Sequence, residues 1–238
     1  MRVAGVRPPY GDGACSNVGA GCTVRTRAAV MVGTSAAVRV VYAAPSATPR
    51  DGLFLYRLDE RRFCEGGALS DGGNLHAWLL RTLAAFEGDA IGEREPAAHG
   101  LVFEPYLGGE RSLEWDPDRR GAISGLTFAT TPLDIAQAAL EAVSYRLAAV
   151  LDAIGGVDSV AVTGGGLLSN PGWVQVLADV IGRPLEVSGV EEGSARGAAV
   201  VALERAGLPV PEAPIARVVE PRLDRHEIHL HAMHVDSP

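Results

Sequence analysis

Apolar residues recur along this chain at two spacings, which separate helices from strands. The longest helical stripe runs from Pro132 to Ile154, where Ala138, Ala142, Val143, Leu147 and Val150 share one face, so a long helix packed on a sheet is predicted. Shorter helices are expected over Leu75–Leu83, Gly172–Ile181 and Ser194–Ala206. Gly197, inside the last of these, is roughly 1 kcal/mol worse than alanine in a helix, which points to close helix packing there. Runs rich in β-branched residues predict strands at Ala28–Val32, Ala37–Tyr42, Leu53–Leu58, Phe63–Leu69, Val160–Thr163 and Leu185–Val187. The first four follow one another over short turns, which favours an antiparallel meander. From Pro209 proline and charge dominate, so residues 209–238 are expected to form an extended tail.

Composition narrows the partners more than the fold. The chain has 238 residues, 47% hydrophobic and 21% charged, enough for a substantial core. Its 21 basic and 29 acidic side chains give a net charge of −8 with no long basic run, so neither nucleic acid nor an anionic membrane is an expected partner. No apolar run approaches the roughly eighteen residues of a membrane span, and no signal-peptide pattern opens the chain. With Cys15, Cys22 and Cys64 as an odd set lacking C-x-x-C spacing, a cytoplasmic protein with free thiols is expected. His226, His229, His231 and His234 have no carboxylate or cysteine framework beside them, so no metal site is expected. Residues 1–10 read as an atypical, truncated start, because Arg2, Arg7, Pro8 and Pro9 interrupt what would otherwise be a strand.

Three stretches carry candidate chemistry. In Val160–Trp173 a strand runs into Gly164-Gly165-Gly166 and then into a helix that Pro171 begins and Ser169 or Asn170 can cap. A turn stripped of side chains lets a phosphate or nucleotide lie on bare backbone, although a tight αβ loop uses the same residues. It matches neither the dinucleotide fingerprint nor the P-loop. Gly33-Thr34-Ser35 makes a hydroxyl-bearing hairpin tip, suited either to an ordinary turn or to clamping terminal phosphates. In Gly11-Asp12-Gly13, Asp12 is an expected N-cap or, in the functional reading, a general base at an open strand-to-helix turn. The irregular stretch Phe103–Pro117 is too long for a plain connection, and Tyr106 and Trp115 argue that it is ordered.

Together these pieces resemble the C-terminal domain of the FGGY family of carbohydrate kinases, the gluconokinase-like members above all. The resemblance covers residues 11–208. It is carried by Gly11-Asp12-Gly13-Ala14, Gly33-Thr34-Ser35, Gly109-Glu110-Arg111-Ser112, Gly125-Leu126-Thr127, Thr163–Gly166 with Trp173 and Asp179, and Ser194–Ala199. It implies an α/β fold of the ribonuclease H-like (actin/hexokinase-type ATPase) kind, a mixed sheet flanked by helices, forming the nucleotide-binding half of a two-lobed enzyme. It further implies ATP with Mg²⁺ bridging its phosphates, a sugar or sugar-acid substrate with gluconate foremost, and a partner N-terminal lobe absent from these residues. Asp12 would be the general base, Gly33 and Thr34 would hold the β- and γ-phosphates, Gly164, Gly165 and Gly166 would lie by the α-phosphate and ribose, and Asn170 would border the adenine. A non-catalytic ATP-binding fragment and a kinase for xylulose or glycerol remain open, as does a homo-oligomer.

Overall fold

A computed structural model describes residues 10–84, 86 and 88–235; the expectation for the chain's start therefore lies outside the described residues, Tyr10 apart. In chain order the elements are α1 (Asp12–Gly19), β1 (Arg27–Val32), β2 (Ala36–Ala43), β3 (Phe54–Arg57), β4 (Arg62–Leu69) and α2 (Gly73–Thr82). A 3₁₀ turn (Gly88–Glu93) precedes β5 (Val102–Glu104), β6 (Ala122–Ser124) and α3 (Pro132–Ile154). Then come β7 (Ser159–Thr163), α4 (Gly165–Leu168), α5 (Pro171–Ile181), β8 (Leu185–Ser188), α6 (Gly193–Arg205), β9 (Ile215–Val219) and α7 (Leu223–Val235).

Seven strands form one mixed sheet in the order β3-β4-β2-β1-β7-β8-β9, while β5 and β6 pair separately. β1, β7 and β8 are parallel, and every other neighbouring pair is antiparallel. Because strand side chains alternate, each central strand feeds two layers. Val30, Val32, Val160 and Val162 join Leu140, Leu147, Trp173 and Leu177 in the main core. Ala29 and Ala161 face the other way, towards Ala20 and Cys22, and Val41 and Cys64 meet Ala14, Val18, Val200 and Val201. Thus α2, α3 and α5 serve one face, and α1 and α6 the other.

The long helix is as expected, and its start is held by Thr131, whose hydroxyl accepts from the Asp134 N–H at 3.2 Å while Asp134 accepts from the Thr131 N–H at 2.8 Å. All three cysteines are free and buried. Two expectations need correction. The first four strands are not a sequential meander, because β4 lies between β2 and β3. The burial explains the order: β4 is covered along almost its whole length and needs a neighbour on each side, whereas β3 is short and half exposed, as suits an edge.

The segment after Pro209 is not an extended tail either. It adds β9 to the sheet edge and then folds as α7. What anchors it is a set of buried acceptors no local pattern reveals. Arg222 pairs with the buried Asp179 carboxylate at 2.6 Å, Arg225 donates to the Arg94 carbonyl at 2.7 Å, and His226 contacts the Asp179 carbonyl at 2.9 Å. His229 is buried against the Tyr145 hydroxyl at 2.9 Å. Two of the four tail histidines are therefore packing residues; the His234 side chain lies outside the described part. Among the described residues no helix is long and apolar enough to cross a membrane.

Candidate nucleotide and base site

Parallel strands β1 and β7 end side by side, with Met31 opposite Thr163, so the turns that follow them are neighbours. Gly164 enters its turn at φ +92°, a backbone open to glycine and strained for other residues, and a Cβ there would lie 2.6 Å from the Val32 carbonyl carbon. A Cβ on Gly166 would come within 3.0 Å of the Gly33 carbonyl oxygen. The two glycine turns singled out from sequence thus touch. A third turn, Gly72-Gly73-Asn74 at the start of α2, joins them. The Gly73 N–H donates to the Gly33 carbonyl at 2.8 Å and the Asn74 N–H to the Thr34 carbonyl at 3.0 Å. The first turn of α2 therefore grips the hairpin tip and fixes its shape.

Within this cluster one position stays open. A Cβ on Gly165 would meet nothing within 4 Å, and both Gly165 and Thr34 are exposed. The Gly164 and Gly165 carbonyls are taken up by the N–H groups of Leu167, Leu168 and Ser169, and the first N–H groups of such a turn have no acceptor inside it. Open backbone donors beside an exposed threonine hydroxyl suit an oxyanion. Asn170 caps α5, its carbonyl oxygen accepting from the Trp173 N–H at 3.2 Å, with Pro171 at the first helical position as expected. It is buried, and its amide lies 3.3 Å from His76 Nε2, so it frames the groove through His76. Burial pulls the His76 imidazole below its ordinary 6.5, which favours the neutral ring.

Asp12 stands on the other face of the sheet. It occupies the first turn of α1, but Gly11 is the N-cap and the carboxylate accepts from the adjacent Gly13 N–H at 2.7 Å, which corrects the capping expectation. Its own carbonyl accepts from the Ser194 hydroxyl at 3.1 Å, which ties α1 to the start of α6. Asp12 is exposed, and no side chain among the described residues bonds to its carboxylate. The structure thus brings Gly33, Thr34 and Gly164–Gly166 together, and packs Gly13, the neighbour of Asp12, against the guanidinium of Arg39 in β2, four residues past Ser35 of the hairpin tip.

The C-terminal domain model of the FGGY family of carbohydrate kinases matches residues 28–205. The chain belongs to this family. It is 33% identical over 216 residues to the gluconokinase of Bacillus licheniformis and 31% identical over 206 residues to the xylulose kinase of Staphylococcus xylosus, covering 82% and 80% of this chain. It spans only 42% and 41% of those relatives' lengths. The crystal structure of gluconate kinase from Lactobacillus acidophilus superposes with a TM-score of 0.83 at 25% identity, over 94% of this chain and 49% of that one. The mixed sheet flanked by helices is that of the FGGY C-terminal domain, an actin-like ATPase fold, as expected.

Within this FGGY domain two features escaped sequence reading. Asp71, just before the Gly72-Gly73 turn, is buried with an N–H from Gly108 at 3.3 Å, and burial holds its carboxyl above the usual range. The Phe103–Pro117 stretch is ordered, as expected, and the reason is Glu110. That buried carboxylate accepts from the N–H groups of Ser112 at 3.1 Å and Trp115 at 2.7 Å and pairs with Arg146 at 2.7 Å. The Asp71–Gly108 and Glu110–Arg146 contacts join residues 37 and 36 positions apart, so neither pairing is a local signal.

Proposed function

We propose that this chain is the nucleotide-binding and base-bearing half of an ATP-dependent kinase for a sugar or sugar acid, with gluconate the leading substrate. FGGY kinases use ATP, and the cradle is the carrying observation: Gly33, Gly73 and Gly166 meet backbone to backbone, Gly164 lies on the Val32 backbone, and Gly165 and Thr34 stay open. Any Cβ at Gly164 or Gly166 would fill the space between the turns. In this reading Gly33 and Thr34 hold the terminal phosphates, Gly164–Gly166 the α-phosphate and ribose, and Asn170 with His76 the wall by the base. Among the described residues no group of three or more His, Cys, Asp or Glu is placed to hold a metal, so Mg²⁺ would arrive on the nucleotide and neutralise its phosphates. Asp12, exposed and unpaired, takes the proton from the substrate hydroxyl.

The residues matched to relatives amount to about half of each relative, so the opposing wall of the cleft comes from an N-terminal lobe. Positioning by such a wall is worth about 7–11 kcal/mol of barrier, far more than a base contributes, and the chain by itself is expected to bind nucleotide with little turnover. Calorimetric titration with ATP beside a coupled assay with gluconate tests this. Binding without turnover supports the half-site reading; neither binding nor turnover leaves a non-catalytic remnant. Turnover of xylulose or glycerol in preference to gluconate, once an N-terminal lobe is supplied, would reassign the substrate.

A further inference from the structure

Arg39 carries a positive charge that no ion pair or side-chain hydrogen bond among the described residues answers. Two glycines make its slot. Gly66, across the β2–β4 ladder, leaves room for the stem, since a Cβ there would sit 3.1 Å from Arg39 Cγ. Gly13, in α1 next to Asp12, leaves room for the guanidinium, since a Cβ there would lie 3.0 Å from Cζ. In that slot Nη1 is buried without a hydrogen-bond partner, and no carboxylate of the described residues pairs with Arg39 within the 4.0 Å reach at which Arg27, Arg62, Arg94, Arg119, Arg146 and Arg222 all find one.

The carboxylate near it, Asp12 in the first turn of α1, makes no ion pair with it within 4.0 Å, and the other neighbours are neutral or positive. The start of α1 lies over the guanidinium and is itself the positive end of a helix. Tyr56 packs its ring near Gly11, and burial pushes its phenol well up. Cys64 is pushed up to about 11 by burial, with the Tyr56 hydrogen bond and the Arg39 charge acting against it. Both stay neutral at physiological pH. A buried charged nitrogen left without a partner is costly, so the slot is made for an anion from outside.

We propose that Arg39 recognises the carboxylate of a sugar-acid substrate and so selects acids over neutral polyols and ketoses. The inference rests on the reading of Asp12 as the base, because the adjoining Gly13 brings the guanidinium to the residue that would hold the reacting hydroxyl. A guanidinium offers a planar fork that a carboxylate fills with two parallel hydrogen bonds. A nucleotide phosphate is the other source of an oxyanion. It fits less well, since Arg39 lies four residues beyond Ser35, the last residue of the hairpin tip, about 13 Å along an extended strand.

The test follows the Arg39 Nε–Hε resonance of the isotope-labelled chain, assigned by its loss in R39K, through titrations with gluconate, glucitol and ATP. Gluconate is expected to move it saturably, glucitol to leave it in place, and ATP to move the Gly164–Gly166 amides without it. R39M, checked for an unchanged melting temperature, is expected to bind gluconate at least tenfold more weakly, and R39K to fall between. No response to gluconate, or an equal response to glucitol, overturns the assignment while ATP shifts at the glycine turns keep the nucleotide reading intact. A response of Arg39 to ATP alone overturns it in favour of phosphate. Silent glycine turns with a gluconate-specific Arg39 shift would sink the nucleotide reading and leave the carboxylate contact standing.

Discussion

Two regions of this domain are equally rich in glycine and use it for opposite ends. Where α1 crosses α6, glycine lets backbones touch. A Cβ on Gly197 would overlap the Cys15 carbonyl oxygen, and one on Gly19 would reach 2.8 Å from the Gly193 carbonyl carbon. At the ends of β1 and β7 glycine keeps a surface bare, and Gly165 has nothing within 4 Å of where a Cβ would stand. A glycine that is filled in by its neighbours supports the fold; one that is left open offers room to a ligand.

Substitutions can break that contrast. The largest effect is expected at the carboxylate set on the packed side. In an enzyme completed with an N-terminal lobe, Asp12→Asn should lower the phosphorylation rate by about 10²–10⁴, roughly 3–5 kcal/mol of barrier, with no change in melting temperature. An unchanged rate would remove Asp12 from the mechanism.

Gly197→Ala forces a methyl into the α1–α6 contact. It should destabilise the fold by about 3 kcal/mol and lower the melting temperature by about 6–12 °C, read by calorimetry. Gly165→Ala is the counterpart. Its stability should stay within about 0.5 kcal/mol of the parent while ATP affinity falls roughly tenfold in a titration. If Gly165→Ala also melted early, or left ATP binding untouched, the distinction between filled and open glycines would fail.

The smallest effect concerns pH and the packing of α7. Burial holds the His229 imidazole below its ordinary 6.5, with Glu141 and Asp179 acting against that. The unfolded chain therefore takes up this proton at a higher pH than the folded one. The stabilising contribution is full above about 6.5 and is lost as pH falls from there towards the lower folded value. Melting temperature should decline between pH 7 and pH 5.5, and His229→Gln should flatten that decline. A profile unchanged by the substitution would exclude His229 as its source.

Much of the fold was legible because local chemistry and tertiary need coincide. Pro171 after Asn170 and the apolar stripe of α3 each say locally what the whole structure also requires. The misreadings came where they part. β3 and β4 are both plausible strands, and only the covering of β4 on both sides decides that it goes between β2 and β3. The polar sequence after Pro209 hides a helix because its anchor, Asp179, is 43 residues away from Arg222.

Sequence alone determined the family and the element types over most of the chain, since strand alternation, helix periodicity and bare glycine turns are short-range properties. Only the tertiary structure decided that the Gly33 and Gly164–Gly166 turns share one cradle with Gly73, and that Gly13 and Gly66 open a slot for an unanswered Arg39. Those facts depend on strands that pair across long stretches of chain, and pairing at that range is settled by burial and hydrogen bonding of the whole sheet.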